Sequence, residues 1–307
     1  MFKYIVRRLL YLIPVLIGVS FIVFSLLYMT PGDPAKIILG EQADQKAVEE
    51  LREEMGLNES FVVQYVNYVK KIVFNQDMGM SYITKRPVLT EIFTVFPNTV
   101  KLAATSIILA IILGNVFGVI SAVKQYSVVD SIITVIALLG ISMPMFWVGL
   151  LMILLFSVQL GWLPASGYDG IEYMIMPAIA LGAQSIAVIT RMTRSSMLEV
   201  IRQDYIRTAR AKGQKEYIVI FKHAFNNALI PIITIVGLQF GYLLGGAIIT
   251  ESIFSIPGLG RLMVESIKMR DFPVVQGAVL FIAVCFSVVN LIVDLLYAYV
   301  DPRIGKA

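Results

Sequence analysis

Charged residues are scarce in this sequence of 307 residues, and their scarcity excludes an ordinary soluble protein. Only 15% of the residues are charged and 58% are hydrophobic, whereas soluble chains have about 25% charged and about 45–50% apolar residues. The mean hydropathy of +0.80 points the same way. So few charges cannot cover a water-facing surface, and the composition therefore predicts a membrane protein.

Cysteine and histidine are nearly missing. Cys285 is the only cysteine, so no disulfide can form within the chain. His223 is the only histidine, which disfavours most metal sites and most histidine-based catalysis. We interpret His223 as part of a hydrogen-bonded helix start rather than as a ligand. The formal net charge of +4 is too small to indicate nucleic acid as a partner.

Long uncharged runs predict an all-α polytopic membrane protein with six transmembrane helices. A helix rises 1.5 Å per residue, so it needs about 20 apolar residues to cross about 30 Å of hydrocarbon. The runs are about twice as long as a membrane β-strand and do not alternate as one would. The predicted spans are 9–29, 99–123, 131–160, 173–190, 224–250 and 272–300.

Basic residues set the predicted orientation. They are concentrated before the first span, between spans four and five, and after the last span, which places these segments in the cytoplasm. Both termini are then cytoplasmic, and the first span is interpreted as a retained signal-anchor. The cytoplasmic segments are 1–8, 191–223 and 301–307, and the larger external segments are 30–98 and 251–271.

Two amphipathic helices are predicted in the first external segment, at 44–55 and 61–74. Gly56 supplies a left-handed stop for the first helix. The second helix has Val62, Tyr65, Val66, Val69 and Val73 on one side. Two interpretations stay open for these apolar stripes: packing on the protein's own surface, or docking of an external partner.

The cytoplasmic connection 191–223 predicts a short exposed helix. Ser196 and Glu199 have capping-box spacing. Asp204 is predicted to cap a second helix over 205–212, which Gly213 closes. Since helices below about 12–15 residues are marginal in water, this one needs something to pack against. An acidic protein surface or the lipid headgroups would both suit its basic residues.

The residues from Arg202 to Gly213 resemble the cytoplasmic signature of permease subunits in the peptide and nickel branch of bacterial ABC importers. Further stretches similar to that family follow the chain in order. They are 30–34, 77–81, 86–88, 142–146, 161–164, 223–231, 251–261, 270–273, 290–294 and 301–303. The Glu-Ala-Ala motif of the wider superfamily is replaced here by Arg207 and Thr208 in its first two positions, which is the variant of the peptide branch.

The resemblance implies the type I ABC importer permease fold in a bacterial inner membrane. It also implies a second homologous permease, two cytoplasmic ATPase subunits and an external substrate-binding protein as partners. The chain is expected to bind no cofactor and to be no enzyme. It has no Gly-x-x-x-x-Gly-Lys-Ser/Thr motif, so ATP and Mg²⁺ are expected on the ATPase subunits.

Three groups of candidate site residues follow from the resemblance. The residues expected to couple to the ATPase are Asp204, Tyr205, Arg207, Thr208, Ala209, Arg210, Ala211 and Gly213. The external gate or receptor contact comprises Glu251, Phe254, Pro257, Gly258 and Gly260, with a plain surface loop as the alternative. The translocation path comprises Ser142, Pro144, Gln239, Asn290 and Asp294.

The predicted function is the import of short peptides, dipeptides or oligopeptides, by a permease subunit. Nickel, a metal chelate or glutathione is the alternative cargo. An ion-coupled secondary transporter would instead use Asp294 as a proton carrier, although a hydrogen bond to Asn290 is the plainer interpretation. An intramembrane hydrolase would use Ser142, but we interpret Ser142 and Pro144 as a helix kink that lines a path.

Overall fold

The computed structural model describes the backbone of residues 2–40 and 42–300, and the side chains of 10–40, 42–293 and 295. The predicted cytoplasmic tail, 301–307, lies outside the described residues. The described part is helical and contains no strand beyond an isolated bridge between Met80 and Pro87. The helices are α1 Phe2–Tyr28, α2 Pro34–Leu39, α3 Gln45–Glu54, α4 Phe61–Asn75, α5 Val88–Val123, α6 Val128–Ser142, α7 Met145–Met152, α8 Ile171–Ile201, α9 Asp204–Ala211, α10 Glu216–Ile218, α11 Asn226–Ile253, α12 Leu259–Met269 and α13 Phe272–Val300. Two π-helical segments, Ile153–Gln159 and Val219–Phe225, follow α7 and α10.

Five helices of the described residues are long and apolar enough to cross a membrane, and a bent pair makes a sixth candidate. The pair is α6 with the helix Met145–Gln159, and the two halves differ in direction by 108°. The predicted span 131–160 falls on this bent pair, and the break lies at the kink predicted for Ser142 and Pro144. Pro144 has no backbone N–H and disfavours helical backbone in Met143, so the helix breaks at Ser142.

The predicted second and fourth spans are parts of longer helices. α5 begins at Val88, eleven residues before the predicted start at 99, and contains 36 residues. α8 has 31 residues and continues eleven residues beyond the predicted end at 190. At 1.5 Å per residue α8 is roughly 46 Å long, so it extends past about 30 Å of hydrocarbon. Hydrophobicity marks only the part of a helix that lies in lipid.

The described chain divides into two compact units, and each has its own core. The first comprises residues 1–98 and 257–288. Its core joins the start of α5 to α12 and α13 through Val88, Ile92, Leu259, Val274 and Ala278. The helix α12, at Leu259–Met269, occupies part of the segment 251–271 for which the sequence predicted only a loop.

External motifs of the first unit meet at Asp271, which is buried. Its carboxylate accepts a hydrogen bond of 2.5 Å from the Ser81 hydroxyl and one of 2.9 Å from the Tyr82 backbone N–H. Burial, followed by the charge of Asp271, raises the pKa of Tyr82 to about 12. The stretches 77–81 and 270–273, which both resemble the importer family, thus form one structural element. In it, a turn is hydrogen-bonded to the start of α13.

The two predicted external helices are present as α3 and α4. Gly56 has a φ of 69°, which confirms the predicted left-handed stop. The short helix α2 was not predicted. Asp33 caps it by accepting a hydrogen bond from the Ala35 N–H, and Pro34 occupies its first position. The second carboxylate oxygen of Asp33 binds Arg52 of α3 at 2.8 Å.

The second unit comprises residues 99–256 and 289–307. One apolar cluster joins α5, α8 and α11 and includes Leu102, Leu181 and Leu243. A second cluster lies around α9 and includes Met197 and Ile206. The first cluster builds the helical bundle, and the second holds the cytoplasmic connection against it.

Candidate coupling site and transport path

The helix α9 stands between α8 and α11 as a separate short element. It begins at Asp204, preceded by Gln203 in extended backbone, so Asp204 lies in the first turn and is not the cap that was predicted. The negative charge of Asp204 in the first turn still stabilises the helix, because it interacts favourably with the positive end of the helix dipole. Gly213 has a φ of 74° and its N–H donates to the Arg210 carbonyl at 2.9 Å. The predicted stop at Gly213 is confirmed.

Two side chains fix α9 to the unit. Ile206 and Ala209 are buried in a cluster with Met197 of α8, Val219 of the π-helical segment and Ile232 of α11. Ala209 was predicted to contact an ATPase, but in this structure it faces its own chain. We correct its role to that of an anchor. Ile206, which the site prediction omitted, is the larger anchor.

The remaining predicted coupling residues are exposed on α9 and just beyond it. They are Asp204, Tyr205, Arg207, Thr208, Arg210, Ala211 and Gly213. The surface is mixed, with an aromatic ring, cationic groups and small side chains. The buried side chains Ile206 and Ala209 fix α9 to the protein, and its other residues form an exposed surface that a protein partner could contact.

Polar contacts brace the turn after α9. Arg210 forms an ion pair of 2.7 Å with Glu216 of α10, and the hydrogen bond to Glu216 raises the pKa of the Arg210 guanidinium. His223 Nε2 lies 2.6 Å from Gln214 Oε1. His223 is hydrogen-bonded as expected, but it lies inside the helical stretch that begins at Glu216 and not at a helix start.

The predicted helix start at Ser196 is wrong. Ser196 is buried inside α8, which runs without interruption to Ile201. Met197 is fully buried in the next position and packs in the cluster around α9. The apolar face of α8 therefore continues through the capping-box pattern, because tertiary packing decides over a local motif.

A buried ion pair that joins α6 to α8 was missed by the sequence analysis. Asp130, in the first turn of α6, accepts hydrogen bonds of 2.8 Å from both Nε and a terminal nitrogen of Arg194 in α8. The Ser121 hydroxyl and the Tyr126 N–H also donate to Asp130. The turn between α5 and α6 is thereby joined to α8 nine residues before Gln203. The two charges lie 64 positions apart, so spacing could not reveal them.

The predicted path residues lie in different surroundings. Ser142 and Pro144 are exposed at the break between α6 and α7. Gln239 of α11 donates a hydrogen bond of 3.0 Å to Ser185 of α8, a residue that we had not singled out. Asn290 is half-buried. The side chain of Asp294 lies outside the described residues.

The predicted gate residues are mostly buried. Glu251 accepts a hydrogen bond of 2.6 Å from the Thr99 hydroxyl, and the carbonyl of Phe254 accepts one from the Gly167 N–H. Neither side chain could touch an external receptor in this conformation.

Gly258 and Gly260 are buried too, whereas Pro257 is half-buried. Direct receptor contact by the buried four is thus incompatible with this conformation. Among the described residues, no group of three His, Cys, Asp or Glu side chains is placed to hold a metal ion.

Comparison with protein families places the chain. The family described as binding-protein-dependent transport system inner membrane component matches residues 114–306. The model of the N-terminal region of such membrane components matches residues 1–103. The matches together account for almost the whole sequence.

Two curated relatives are similar over 99% of both chains. The dipeptide transport system permease protein DppB of Alkalihalophilus pseudofirmus is 48% identical over an alignment of 332 residues. The glutathione transport system permease protein GsiC of Escherichia coli (strain K12) is 45% identical over 304 residues. Both are permease components of transport systems.

Two solved structures of ABC transporters have the same fold. The MetNI methionine ABC transporter in an inward-facing conformation matches with a TM-score of 0.57 and 16% identity, over 69% of this chain and 97% of that chain. An amino acid ABC transporter solved with histidines matches with a TM-score of 0.55, at 16% identity, over 69% and 94% of the two chains. The fold is that of type I importer permeases.

The match in family, sequence and fold settles the class of this protein. Hydrolysis of ATP in such systems belongs to separate subunits, so the chain is a transport component and not an enzyme. The chain belongs to the family of inner-membrane components of binding-protein-dependent transport systems.

Proposed function

We propose that this chain is one of two homologous permease subunits through which an ATP-driven importer takes up short peptides. The observation that carries the proposal is its 48% identity to a dipeptide permease over 99% of both chains. The second relative transports glutathione, which is itself a tripeptide. Both names therefore favour a cargo with peptide bonds over nickel or a metal chelate.

The partners in this proposal are a second permease, two ATPase subunits and an external substrate-binding protein. ATP and Mg²⁺ would be held by the ATPase subunits. Purification of the chain with its co-expressed neighbours tests the assembly, since a second permease and an ATPase should co-purify. Recovery of the chain without an ATPase under conditions that preserve the membrane complex would contradict it.

The proposed coupling surface is the exposed side of α9. Movement of an ATPase can reach the membrane bundle only if α9 is rigidly attached to it. The buried Ile206 and Ala209 supply that attachment. The exposed surface includes Tyr205, which is 46% exposed. Tyrosine is among the residues that most often dominate protein interfaces.

The path and gate assignments are retained as proposals with altered roles. Ser142, Gln239, Asn290 and Asp294 are proposed to line the path, with Pro144 as the break that shapes it. Glu251 and Phe254 are proposed to shape the gate from inside rather than to touch the receptor. Their burial is the reason for this change.

Transport by the complex in proteoliposomes tests the cargo. With the external receptor added, a dipeptide is expected to raise ATP hydrolysis and to accumulate inside when ATP is supplied. Glutathione and nickel serve as the alternative cargoes in the same assay. Uptake of nickel but of neither peptide would contradict the proposed cargo. Uptake that survives without ATP but needs a proton gradient would overturn the ATP-driven mechanism.

Replacing Tyr205 with alanine tests the coupling surface. We expect the variant to bind the ATPase subunits less tightly by roughly 2 kcal/mol, which is about thirtyfold in affinity, because a central aromatic contact is lost. The measurement is a titration of ATPase subunits onto the permease pair in lipid nanodiscs. Peptide-stimulated hydrolysis should fall in parallel at limiting ATPase concentration.

Tyr217→Ala is the matched control, since Tyr217 is 61% exposed in the same connection but lies on α10. It should bind the ATPase subunits nearly as tightly as the unaltered chain. Equal affinity for the Tyr205 variant and the unaltered chain would show that α9 is not the docking surface. That result would leave the peptide cargo untouched.

A further inference from the structure

Helix α4 lies against the first span through aromatic side chains. Phe61, Tyr65 and Tyr68 follow one another at helical spacing, and each contacts Phe24 of α1. The ring centroids lie 5.5, 5.5 and 5.3 Å from that of Phe24, respectively. Phe61 also lies 5.0 Å from Tyr28. One stripe of α4 is thereby occupied by the protein itself.

The contact with α1 places α4 below the end of the span. The apolar span of α1 runs over Leu10–Tyr28, so Phe24 lies roughly 6 Å inside its end at 1.5 Å per residue. The Tyr65 hydroxyl reaches further and lies 2.9 Å from the Ser20 hydroxyl. Its other partner is the carbonyl of Ile17, at 3.2 Å. These atoms belong to the part of α1 that crosses hydrocarbon.

A second stripe of α4 is made of valine and is mostly left uncovered by the described residues. Val62, Val66, Val69 and Val73 recur at the spacing of one helix face. Val62 is 66% exposed and Val73 is 62% exposed. The helix contains no buried residue at all. Val69 is half-buried, whereas Val62, Val66 and Val73 stay exposed, so the described residues cover only part of the valine face.

A third stripe carries the polar residues and ends at the exposed ring of Phe74. Asn67 and Lys71 are exposed and follow helical spacing on the side away from the valine face. Lys70 and Lys71 are the only charged residues of α4. An apolar face, a polar face and cationic residues without acidic ones are the features of helices that lie in a membrane interface.

From this juxtaposition we propose that α4 is an interfacial helix whose valine face contacts the acyl chains of the bilayer. The leaflet is the one at the Tyr28 end of α1. Interfacial helices bury their apolar face about 5–10 Å deep; the contact at Phe24 lies within that range, whereas the Tyr65 hydroxyl reaches Ser20, about 12 Å inside the span. The neighbouring span α1 is itself mostly uncovered, since only 6% of its apolar window is buried inside the protein.

The sequence left two interpretations open for the apolar stripes of α4: packing on the protein's own surface, or docking of an external partner. Contact of the valine face with lipid differs from both. Packing on the protein's own surface applies to the aromatic stripe and only in part to the valine face. Docking of an external protein would need the valine face in water when that protein is absent. Contact with lipid needs no protein cover and no exposure to water, because at the depth of α4 the valines lie beside the acyl chains. The helix then holds the external segment to the membrane surface.

Site-directed fluorescence on the assembled complex tests this. Cys285 is the only cysteine of this chain, so in a Cys285→Ser background Val66→Cys or Val73→Cys is its single labelling site, and the complex with Cys285→Ser alone gives the background from the other subunits. The matched controls Asn67→Cys and Lys71→Cys lie on the polar stripe of the same helix. Each carries a bimane label in nanodiscs of ordinary or chain-brominated phospholipid, and iodide serves as the aqueous quencher.

We expect labels at 66 and 73 to lose fluorescence in brominated lipid and to resist iodide, and labels at 67 and 71 to do the reverse. Quenching of 66 and 73 by iodide would overturn the proposal, because the valines would face water. Protection from both quenchers would also overturn it, because a protein, such as the second permease, would cover them. Unchanged ATP hydrolysis of each labelled complex confirms that it is folded.

Discussion

Asp130→Ala is expected to destabilise the protein by about 1–3 kcal/mol, because the hydrogen-bond donors around the buried carboxylate lose their acceptor. The side chain of Asp130 is 6% exposed and that of Arg194 is 29% exposed. Four hydrogen bonds to the carboxylate would be lost together. Thermal unfolding of the detergent-solubilised complex at a fixed heating rate measures the loss as a lower apparent Tm.

The double variant Asp130→Ala/Arg194→Met separates the contribution of the Arg194 donors from that of the other donors. Replacing both charges of a buried pair with apolar groups is often neutral or stabilising, so the double variant should recover much of the Tm. Glu49→Ala is the control, since Glu49 pairs with Arg52 at 3.5 Å on the surface and is 54% exposed. Exposed pairs contribute little, and its Tm should not change. An Asp130→Ala variant as stable as the Glu49 control would refute the assigned role.

Gly118→Ala is expected to cost about 1–3 kcal/mol by overpacking. A Cβ atom at Gly118 of α5 would lie 2.5 Å from the Thr193 Cβ and 2.8 Å from the Thr190 carbonyl of α8. Gly114, one helical turn earlier, meets Ile189 equally closely. The Gly-x-x-x-Gly spacing allows two membrane helices to approach at the backbone. The same thermal measurement should show a lower apparent Tm.

Gly245→Ala is the matched control, because a Cβ atom there meets nothing within 4 Å. It removes a glycine from the membrane helix α11 without a clash. Alanine in a helix is favoured over glycine by roughly 0.5–1 kcal/mol, so this variant should be as stable as the unaltered chain or more so. Equal Tm values for the two variants would mean that α5 and α8 separate easily, against the geometry.

The sequence predicted the spans where charge ends abruptly. The runs within α1, α5, α11 and α13 carry no charge, and the structure has long apolar helices there. It could not predict the extent of α8, because Arg191 and Arg194 continue the helix where hydrophobicity stops. Backbone hydrogen bonds of a helix can form in water as well as in lipid, so a helix extends beyond the bilayer where packing supports it.

The coupling helix shows the same division between local and tertiary signals. Its existence and its stop at Gly213 followed from local patterns. Which of its residues face inward did not, because eight residues contain too few apolar side chains to define a face. Ala209 was therefore assigned outward and Ile206 left aside, although both are buried. The partner of Asp130 was equally beyond reach, since only folding brings Arg194 to it.

The glycines of the second unit have a consequence for transport. Gly140 of α6 lies against Ala183 and Ala187 of α8, and Gly182 of α8 lies against the Ser106 carbonyl of α5. At these glycines α6 and α5 each approach α8 with no side chain of the glycine between them. Backbones in such contact cannot slide past one another by a fraction of a turn. We expect α5, α6 and α8 to travel as a single block while cargo passes, with the deformation taken up at their margins.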